Sequence, residues 1–285
     1  MITKSSLIVG PDPKDERLAK QVVGIDESGQ EISLKVVTER PLTLFLNRQE
    51  IVTMMTIGDH PELLAIGYLV NQNIISAQTP IDRVEFDDEL GVVIVRTSEE
   101  TGYEQKSRKR IHTSGCAQGT VFADVYDTFE QIELNKDARL RTSWLGALTH
   151  KINTMPSLYL EAGAIHGCVL CQRDEPLVYM EDVGRHNAVD KIAGWMVQNK
   201  VAAHDKIFYT TGRLTSEMVI KTAMMGIPIL ISRSGFTAWG VELARKCGLT
   251  LIGRARGQRF IVLSGDERID YDADIKPRDP KGHRA

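Results

Sequence analysis

Apolar positions in the first third of the chain fall in short alternating or clustered runs; in the second half such runs take turns with amphipathic stretches. Val22–Ile25 and Ile32–Val37 predict two strands around the turn-rich Asp26-Glu-Ser-Gly-Gln30. Leu42–Leu46 and Ile51–Met55 predict a second hairpin around Asn47-Arg48. Asp59-His-Pro-Glu62 reads as a helix start, with Asp59 as the cap, Pro in the first turn and Glu three residues after the cap. Leu63, Leu64, Ile66 and Tyr68 carry that helix towards Asn73, and strands follow at Arg83–Phe86 and Val92–Arg96. Residues 1–19 are polar and read as loose.

From Ser143 the pattern Trp144, Leu145, Leu148, Ile152 predicts a helix ending near Pro156. Strands at Ala164–Gln172 and Leu177–Met180 come next, then a helix reaching about Gln198. Strand Lys206–Thr210, helix Thr215–Met225, strand Ile229–Ile231 and helix Thr237–Lys246 alternate, and strands Thr250–Ile252 and Phe260–Leu263 close the series. Strands alternating with helices of this length predict an α/β sheet with helices packed on its faces. The expected division is an N-terminal α+β domain of hairpins and helices over 20–115, smaller and mainly β, then a Cys-bearing loop and connection over 116–141. An α/β domain over 142–268 and a disordered tail over 269–285 complete it.

Composition narrows the function classes. With 42% hydrophobic and 26% charged residues the chain is an ordinary globular protein, and 285 residues give room for a buried core. A net charge of -3 argues against a nucleic-acid partner. No apolar run approaches the roughly 20 residues of a membrane span, and the first ten residues are too short an apolar stretch for a signal peptide. Four cysteines in a chain this long form no disulfide framework, which predicts reduced thiols and a cytoplasmic location.

Candidate chemistry sits in loops. Cys116 lies between small residues in Ser114-Gly-Cys-Ala-Gln-Gly119, just after Lys106, Arg108, Lys109 and Arg110. Nearby positive charge favours the thiolate, the form that acts as nucleophile or sulfur carrier, although the same residues fit an incidental Cys in a Gly-rich turn. Four loops of the second half place Arg beside Gly at the end of a strand: Gly184-Arg185, Gly212-Arg213, Arg233-Ser234-Gly235 and Arg256-Gly257. Ligands of open α/β sheets bind outside the carboxyl ends of the strands, where helix N-termini and Arg forks suit phosphate oxygens. His186 and His112 are candidate acid–base groups, which loop hydrogen bonding explains as easily. His166-Gly-Cys168-Val-Leu-Cys171 invites a zinc-deaminase reading, but no Glu follows His166 by two residues and no Pro precedes Cys168. A spacing of three on a strand also sends the two thiols to opposite faces.

Taken together, Asp182-Val-Gly-Arg-His-Asn-Ala-Val-Asp-Lys191, Thr211-Gly-Arg-Leu-Thr-Ser-Glu217, Ile231-Ser-Arg-Ser-Gly235 and Gly253-Arg-Ala-Arg-Gly257 resemble the formate dehydrogenase accessory sulfurtransferases, the FdhD family. Pro41-Leu-Thr-Leu-Phe-Leu-Asn and the Pro61–Ile75 helix extend the resemblance over about residues 20 to 265. It implies a cytidine-deaminase-like α/β/α fold for the C-terminal domain, without the deaminase zinc, and a homodimer. It further implies a sulfur carrier that takes persulfide sulfur from a cysteine desulfurase and passes it to the molybdenum or tungsten bis-guanine-dinucleotide cofactor of formate dehydrogenase. Cys116 would be catalytic, and guanine nucleotide would occupy the cofactor's site. The family's cofactor segment maps onto Arg254, Ala255, Arg256, Gly257, Gln258 and Arg259. The family loop has Cys-x-x-Cys where this chain has Cys116-Ala-Gln-Gly119. That departure keeps open an alternative, a cofactor-binding insertion chaperone with Cys116 passive.

Overall fold

The computed structural model describes residues 8–98, 110–112 and 120–275. Strand β1 (Ile8–Val9) precedes the hairpin β2 (Ala19–Ile25) and β3 (Glu31–Val37) and the pair β4 (Arg40–Leu46) and β5 (Gln49–Thr56). Helix α1 (Pro61–Asn71), β6 (Ile81–Asp87) and β7 (Val92–Thr97) follow. The short pair β8 (Arg110–His112) and β9 (Thr120–Phe122) leads into α2 (Ala123–Phe129), β10 (Leu140–Arg141), α3 (Thr142–Thr154) and α4 (Leu158–Ala162). Next come β11 (His166–Gln172), β12 (Glu175–Asp182), α5 (Arg185–Gln198), β13 (Lys206–Thr210) and α6 (Ser216–Met224). The last elements are β14 (Ile229–Ser232), α7 (Ala238–Lys246), β15 (Thr250–Arg256), β16 (Arg259–Ser264) and β17 (Ile269–Asp270).

A seven-stranded mixed sheet in the order β1-β12-β11-β13-β14-β15-β16 forms the centre. Its inner strands are apolar on both faces, because both are covered. Cys168, Leu170, Phe208, Leu230 and Leu251 pack with residues of α5, α6 and α7. Val169, Cys171, Ile207, Tyr209 and Ile229 pack on the opposite side with Leu145, Leu148 and Ile152 of α3. Strand β11 runs antiparallel to both β12 and β13, and β13, β14 and β15 are parallel. The carboxyl ends of β12, β13, β14 and β15 therefore share one edge. The protein is thus a mixed α/β structure with several sheets, as the alternation of strand and helix patterns predicts.

A second sheet, β5-β4-β7-β6, packs Leu42, Leu44, Leu46, Val93 and Val95 against Leu64, Tyr68 and Leu69 of α1. The other side of α1 lies on α5, at a crossing that permits no side chain. A Cβ on Gly67 would meet the Asp190 carbonyl oxygen at 1.7 Å, and one on Gly194 would meet that of Leu63 at 2.0 Å. Two glycines bring the helix backbones together, and through them the smaller sheet rests on the larger.

Three expectations need correction. Residues 8–19 are not loose: β1 pairs in parallel with Val178 and Tyr179, and Leu18 and Ala19 are buried. Asp59 does not cap α1: the cap position is His60, in the left-handed region with no side-chain cap bond, and Asp59 pairs with Lys191 instead. The region from 269 to 275 is not a disordered tail. Ile269 and Asp270 pair with β10, and the Asp272 carboxylate accepts from Ser143 N (2.9 Å), Ser143 Oγ (2.7 Å) and Thr142 Oγ1 (3.1 Å), closing the start of α3.

Gly194→Ala is expected to destabilise the chain by about 1–3 kcal/mol, the usual cost of overpacking. The urea midpoint should fall without a change in slope, and an unaltered midpoint would show that the crossing has slack.

Candidate functional site

The Gly/Arg loops meet at the shared carboxyl edge. Gly184 is the N-cap residue of α5, so Arg185 and His186 open that helix. A Cβ on Gly212 would lie 3.1 Å from Arg185 Cδ, so the absence of a side chain at position 212 lets the β13 loop lie close against Arg185. Ser232 Oγ donates to the Gly212 carbonyl at 2.6 Å, and Arg254 N donates to the Ser234 carbonyl at 2.9 Å. These contacts stitch the ends of β12, β13, β14 and β15 into one continuous rim.

The rim carries a cationic group on the α5/α6 side. Arg185 is buried, its Nη2 stands 3.9 Å from Glu217 Oε2, and its Nε has no hydrogen-bond partner. His186 Nε2 lies 2.8 Å from the same Glu217 oxygen. Burial holds His186 below the usual histidine range, opposing the pull of Glu217. His166 is lowered too, by burial first and then by the charges of Arg185, His186 and Arg213. Arg213 itself is exposed. Both histidines are thereby held neutral near pH 7.

A second group lies on the α3/α4 side. The Arg233 guanidinium sits over the Tyr159 ring, 5.4 Å from its centroid, and reaches Asn153 Oδ1 at 3.4 Å. The Tyr209 hydroxyl is buried without a partner, and burial pushes it up to about 12 against the charges of Arg233 and Arg256. Arg254 adopts φ 53°, an uncommon conformation for a residue with a Cβ, and its guanidinium lies 5.6 Å from the Phe236 ring centroid. Arg256, Gly257, Gln258 and Arg259 form the exposed end of the β15–β16 hairpin, with Gly257 at φ 58° and its carbonyl held by Thr149 Oγ1 at 3.0 Å. The side chain of Ala255 points into the core and is 1% exposed, so only its backbone can face a ligand.

Behind the rim an ion network fixes the loops. Lys191, fully buried, pairs with Asp182 at 2.6 Å and with Asp59, and donates to the Glu181 carbonyl at 2.9 Å. Burial works against its charge, and the carboxylates of Asp182 and Asp59 outweigh it, so Lys191 is raised and remains ammonium. Asp182 also accepts from Thr56 Oγ1 (2.6 Å), Asn187 Nδ2 (3.1 Å) and Gly184 N (3.3 Å). Glu181, on the other face, accepts from Leu158 N, Tyr159 N and the Tyr179 hydroxyl, which anchors α4 and with it Tyr159.

Cys116 and the basic residues Lys106, Arg108 and Lys109 lie outside the described residues. The flanking strands β8 and β9 pair antiparallel from Arg110–Phe122 to His112–Thr120, and β9 runs directly into α2, whose Val125 and Phe129 are buried against the α6 side of the large sheet. Of the other three thiols, two are fully buried and Cys247 is half-buried. Cys168 and Cys171 are fully buried on opposite faces of β11, which denies them a common metal ion. Burial pushes Cys168 up to about 12 and raises Cys171 and Cys247 as well. Among the described residues no group of His, Cys, Asp and Glu is arranged to hold a metal, and no helix is long and apolar enough to cross a membrane.

Sequence reasoning named His166 only for zinc and Glu217 and Lys191 only as letters of motifs. Tyr159, Tyr209 and Phe236 gave no sequence signal of their own, because their positions depend on which strands become neighbours.

The fold is a mixed α/β sheet whose carboxyl edge gathers buried and exposed arginines with helix N-termini, groups whose chemistry suits anions. The particular family is set by comparison: the chain belongs to the FdhD/NarQ family, whose model matches residues 37–270. It is 33% identical over 257 residues to the sulfur carrier protein FdhD of Listeria innocua, covering 88% of this chain and 98% of that one. It is 33% identical over 242 residues to the sulfur carrier protein FdhD of Bacillus subtilis, covering 82% and 90%. A crystal structure described as a formate dehydrogenase accessory protein from Desulfotalea psychrophila is similar with a TM-score of 0.72 and 29% identity, covering 88% of this chain and 98% of that one.

Two outcomes follow from this geometry. Lys191→Met would leave two buried carboxylates unpaired and should cost about 3–5 kcal/mol. A loss below about 1 kcal/mol in denaturant titration would mean the network does not hold the rim. Separately, folded His166 and His186 refuse protons that the unfolded chain takes up near pH 6.5. Their contribution to stability is present above that value and is lost as pH falls through it. His166→Gln should flatten this slope, and an unchanged slope would assign it to other groups.

Proposed function

We propose that this chain is a sulfur carrier that loads one sulfane sulfur on Cys116 and delivers it to the guanine-dinucleotide form of the molybdenum or tungsten cofactor during maturation of formate dehydrogenase. Membership of the FdhD/NarQ family gives the class. The observation that carries the residue-level reading is the complete burial of Cys168 and Cys171 inside the sheet. Cys247 is half-buried at the end of α7 with its thiol raised by desolvation, and Cys116 is the remaining cysteine of the sequence. The rim supplies the complementary half. Arg185 keeps an unbonded Nε, and Arg213, Arg233, Arg254, Arg256 and Arg259 add charge along an edge suited to several phosphates.

The chemistry balances with one thiol. The Cys116 thiolate attacks the terminal sulfur of a desulfurase persulfide, the S–S bond breaks, and the desulfurase leaves as thiolate. At hand-over the bond between Cys116 and its terminal sulfur breaks, Cys116 recovers its thiolate, and the accepting metal supplies the two electrons of the new sulfido ligand. No second cysteine enters either step, which accommodates Gly119 in place of the family's second loop thiol. The reading includes a cytoplasmic homodimer, with a cysteine desulfurase and formate dehydrogenase as partners.

Whole-protein mass spectrometry after incubation with a cysteine desulfurase and cysteine tests it. One added sulfur is expected, retained in Cys168→Ala and Cys171→Ser and absent from Cys116→Ala. Sulfur on Cys168 or Cys171 would refute the assignment. No uptake at all, with guanine nucleotide still bound, would make the insertion-chaperone reading the correct one. Arg185→Gln should weaken guanosine diphosphate binding by roughly tenfold, the loss of one charge-assisted bond of about 1.5 kcal/mol, without altering sulfur uptake.

A further inference from the structure

Hairpin β2–β3 stands as a two-stranded sheet of its own, a size that is marginal in water. It nevertheless exposes apolar side chains on both faces: Val22 at 41% and Leu34 at 48% on one, Val23 at 69% and Ile25 at 64% on the other. Its two long edges are not equivalent. Strand β3 is tied to the body, with Lys35 donating to the Pro13 carbonyl at 2.6 Å and pairing with Glu161 of α4. Strand β2 pairs with β3 and, among the described residues, with no other strand.

The hydrogen-bond phase of the free edge follows from its two ends. Leu18 accepts from Thr38 N at 2.9 Å, and Asp26 N donates to Gln30 at 2.9 Å. In the antiparallel register of the hairpin, the even-numbered residues of β2 therefore exchange bonds with β3. Gln21, Val23 and Ile25 turn their N–H and C=O groups outward.

Resting on the homodimer of the proposed function, we propose that its pairing edge is β2, with β2 of the second copy lying antiparallel and the two-fold axis at Val23. That centre pairs Val23 with its own counterpart and Gln21 with Ile25, all through outward-facing backbone groups. It also sets Lys20 of each copy opposite Asp26 of the other, so both charge pairs are attractive. Centring on Gln21 instead would face Lys20 with Val22 and leave Asp26 outside the ladder. The turn keeps Asp26 available: Ser28 N, Ser28 Oγ and Gln30 N all donate to its Oδ1, leaving Oδ2 outside these bonds. Pairing yields a four-stranded sheet in the order β3-β2-β2-β3 with the four exposed apolar residues of each copy gathered on its faces. An interface that uses the same patch twice is the closed arrangement expected of a two-fold dimer.

Sedimentation equilibrium and oxidative cross-linking of the full chain test the surface and its register, and neither readout depends on sulfur transfer. The wild-type chain should sediment at twice its 31.8 kDa mass. Val23→Lys brings two like charges together at the axis and should weaken the dimer about tenfold or more, with an unchanged circular dichroism spectrum because Val23 is exposed. Val23→Cys should form a disulfide-linked dimer, since hydrogen-bonded partners lie about 5.5 Å apart. Gln21→Cys and Ile25→Cys should cross-link when mixed, and neither with itself. Wild type under the same oxidant is the blank for native thiols, with peptide mapping of each link. A wild-type monomer at every concentration, a dimer indifferent to Val23→Lys, or a Gln21–Gln21 link would each overturn the proposal.

Discussion

One ammonium group, that of Lys191, sits where three elements of the protein meet. It joins the last residue of β12, the entry to α1 and the backbone of Glu181, with no exposure to solvent. A charge so buried persists only with close partners, and Asp182 and Asp59 supply them from distant parts of the chain. The Oδ1 of the same Asp182 carboxylate takes the Gly184 N–H and the Asn187 amide, so the turn that presents Arg185 and His186 is anchored to the carboxylate whose Oδ2 neutralises Lys191. A buried ion pair adds little net stability over a well-packed apolar substitute. Its value here lies in specifying one arrangement. The preceding residue of α5, Asp190, repeats the device with Lys221 (2.7 Å) and Asn71 (2.7 Å), again binding α1 to α5 and α6.

The rim that these pairs hold is electrostatically incomplete by design of its sequence. Arg185 and His186 share a single carboxylate, Glu217, and His166 faces the charges of Arg185 and Arg213. Like charges brought together at a water-poor edge repel, and an unbonded guanidinium nitrogen loses the hydrogen bonds it had in water. The neutral histidines limit the first cost, because protons on them would add to the repulsion.

Much of this was legible from the chain. Period-two runs and amphipathic stretches marked most strands and helices, and the placement of Arg beside Gly marked the rim, because those signals are local. Signals that depend on partners across the fold were misread or silent. Asp59-His-Pro-Glu62 has the letters of a capped helix start, yet Asp59 turns away to satisfy Lys191, since a buried ammonium outweighs a surface cap worth about 1 kcal/mol. Ile8-Val9 is too short to read as a strand until the edge of β12 is there to receive it. Ala255 sat in a ligand-binding segment by resemblance, but the alternation of β15 sends its side chain into the core. Tyr209, the unbonded hydroxyl at the rim, looked like any other aromatic of a buried strand.

Burial also sorts the thiols in a way composition could not. Cys168 and Cys171 are separated by three positions on β11, so strand alternation puts a sheet between them and desolvation denies each its thiolate. A carrier needs a thiol that ionises, meets two different partners in turn and returns unchanged; a thiol sealed inside a sheet meets none of these conditions. It follows that neither strand thiol can serve as a second thiol beside Cys116. Within its own segment Cys116 has no neighbouring thiol, since Gly119 can neither form a disulfide with it nor expel a sulfur bound to it.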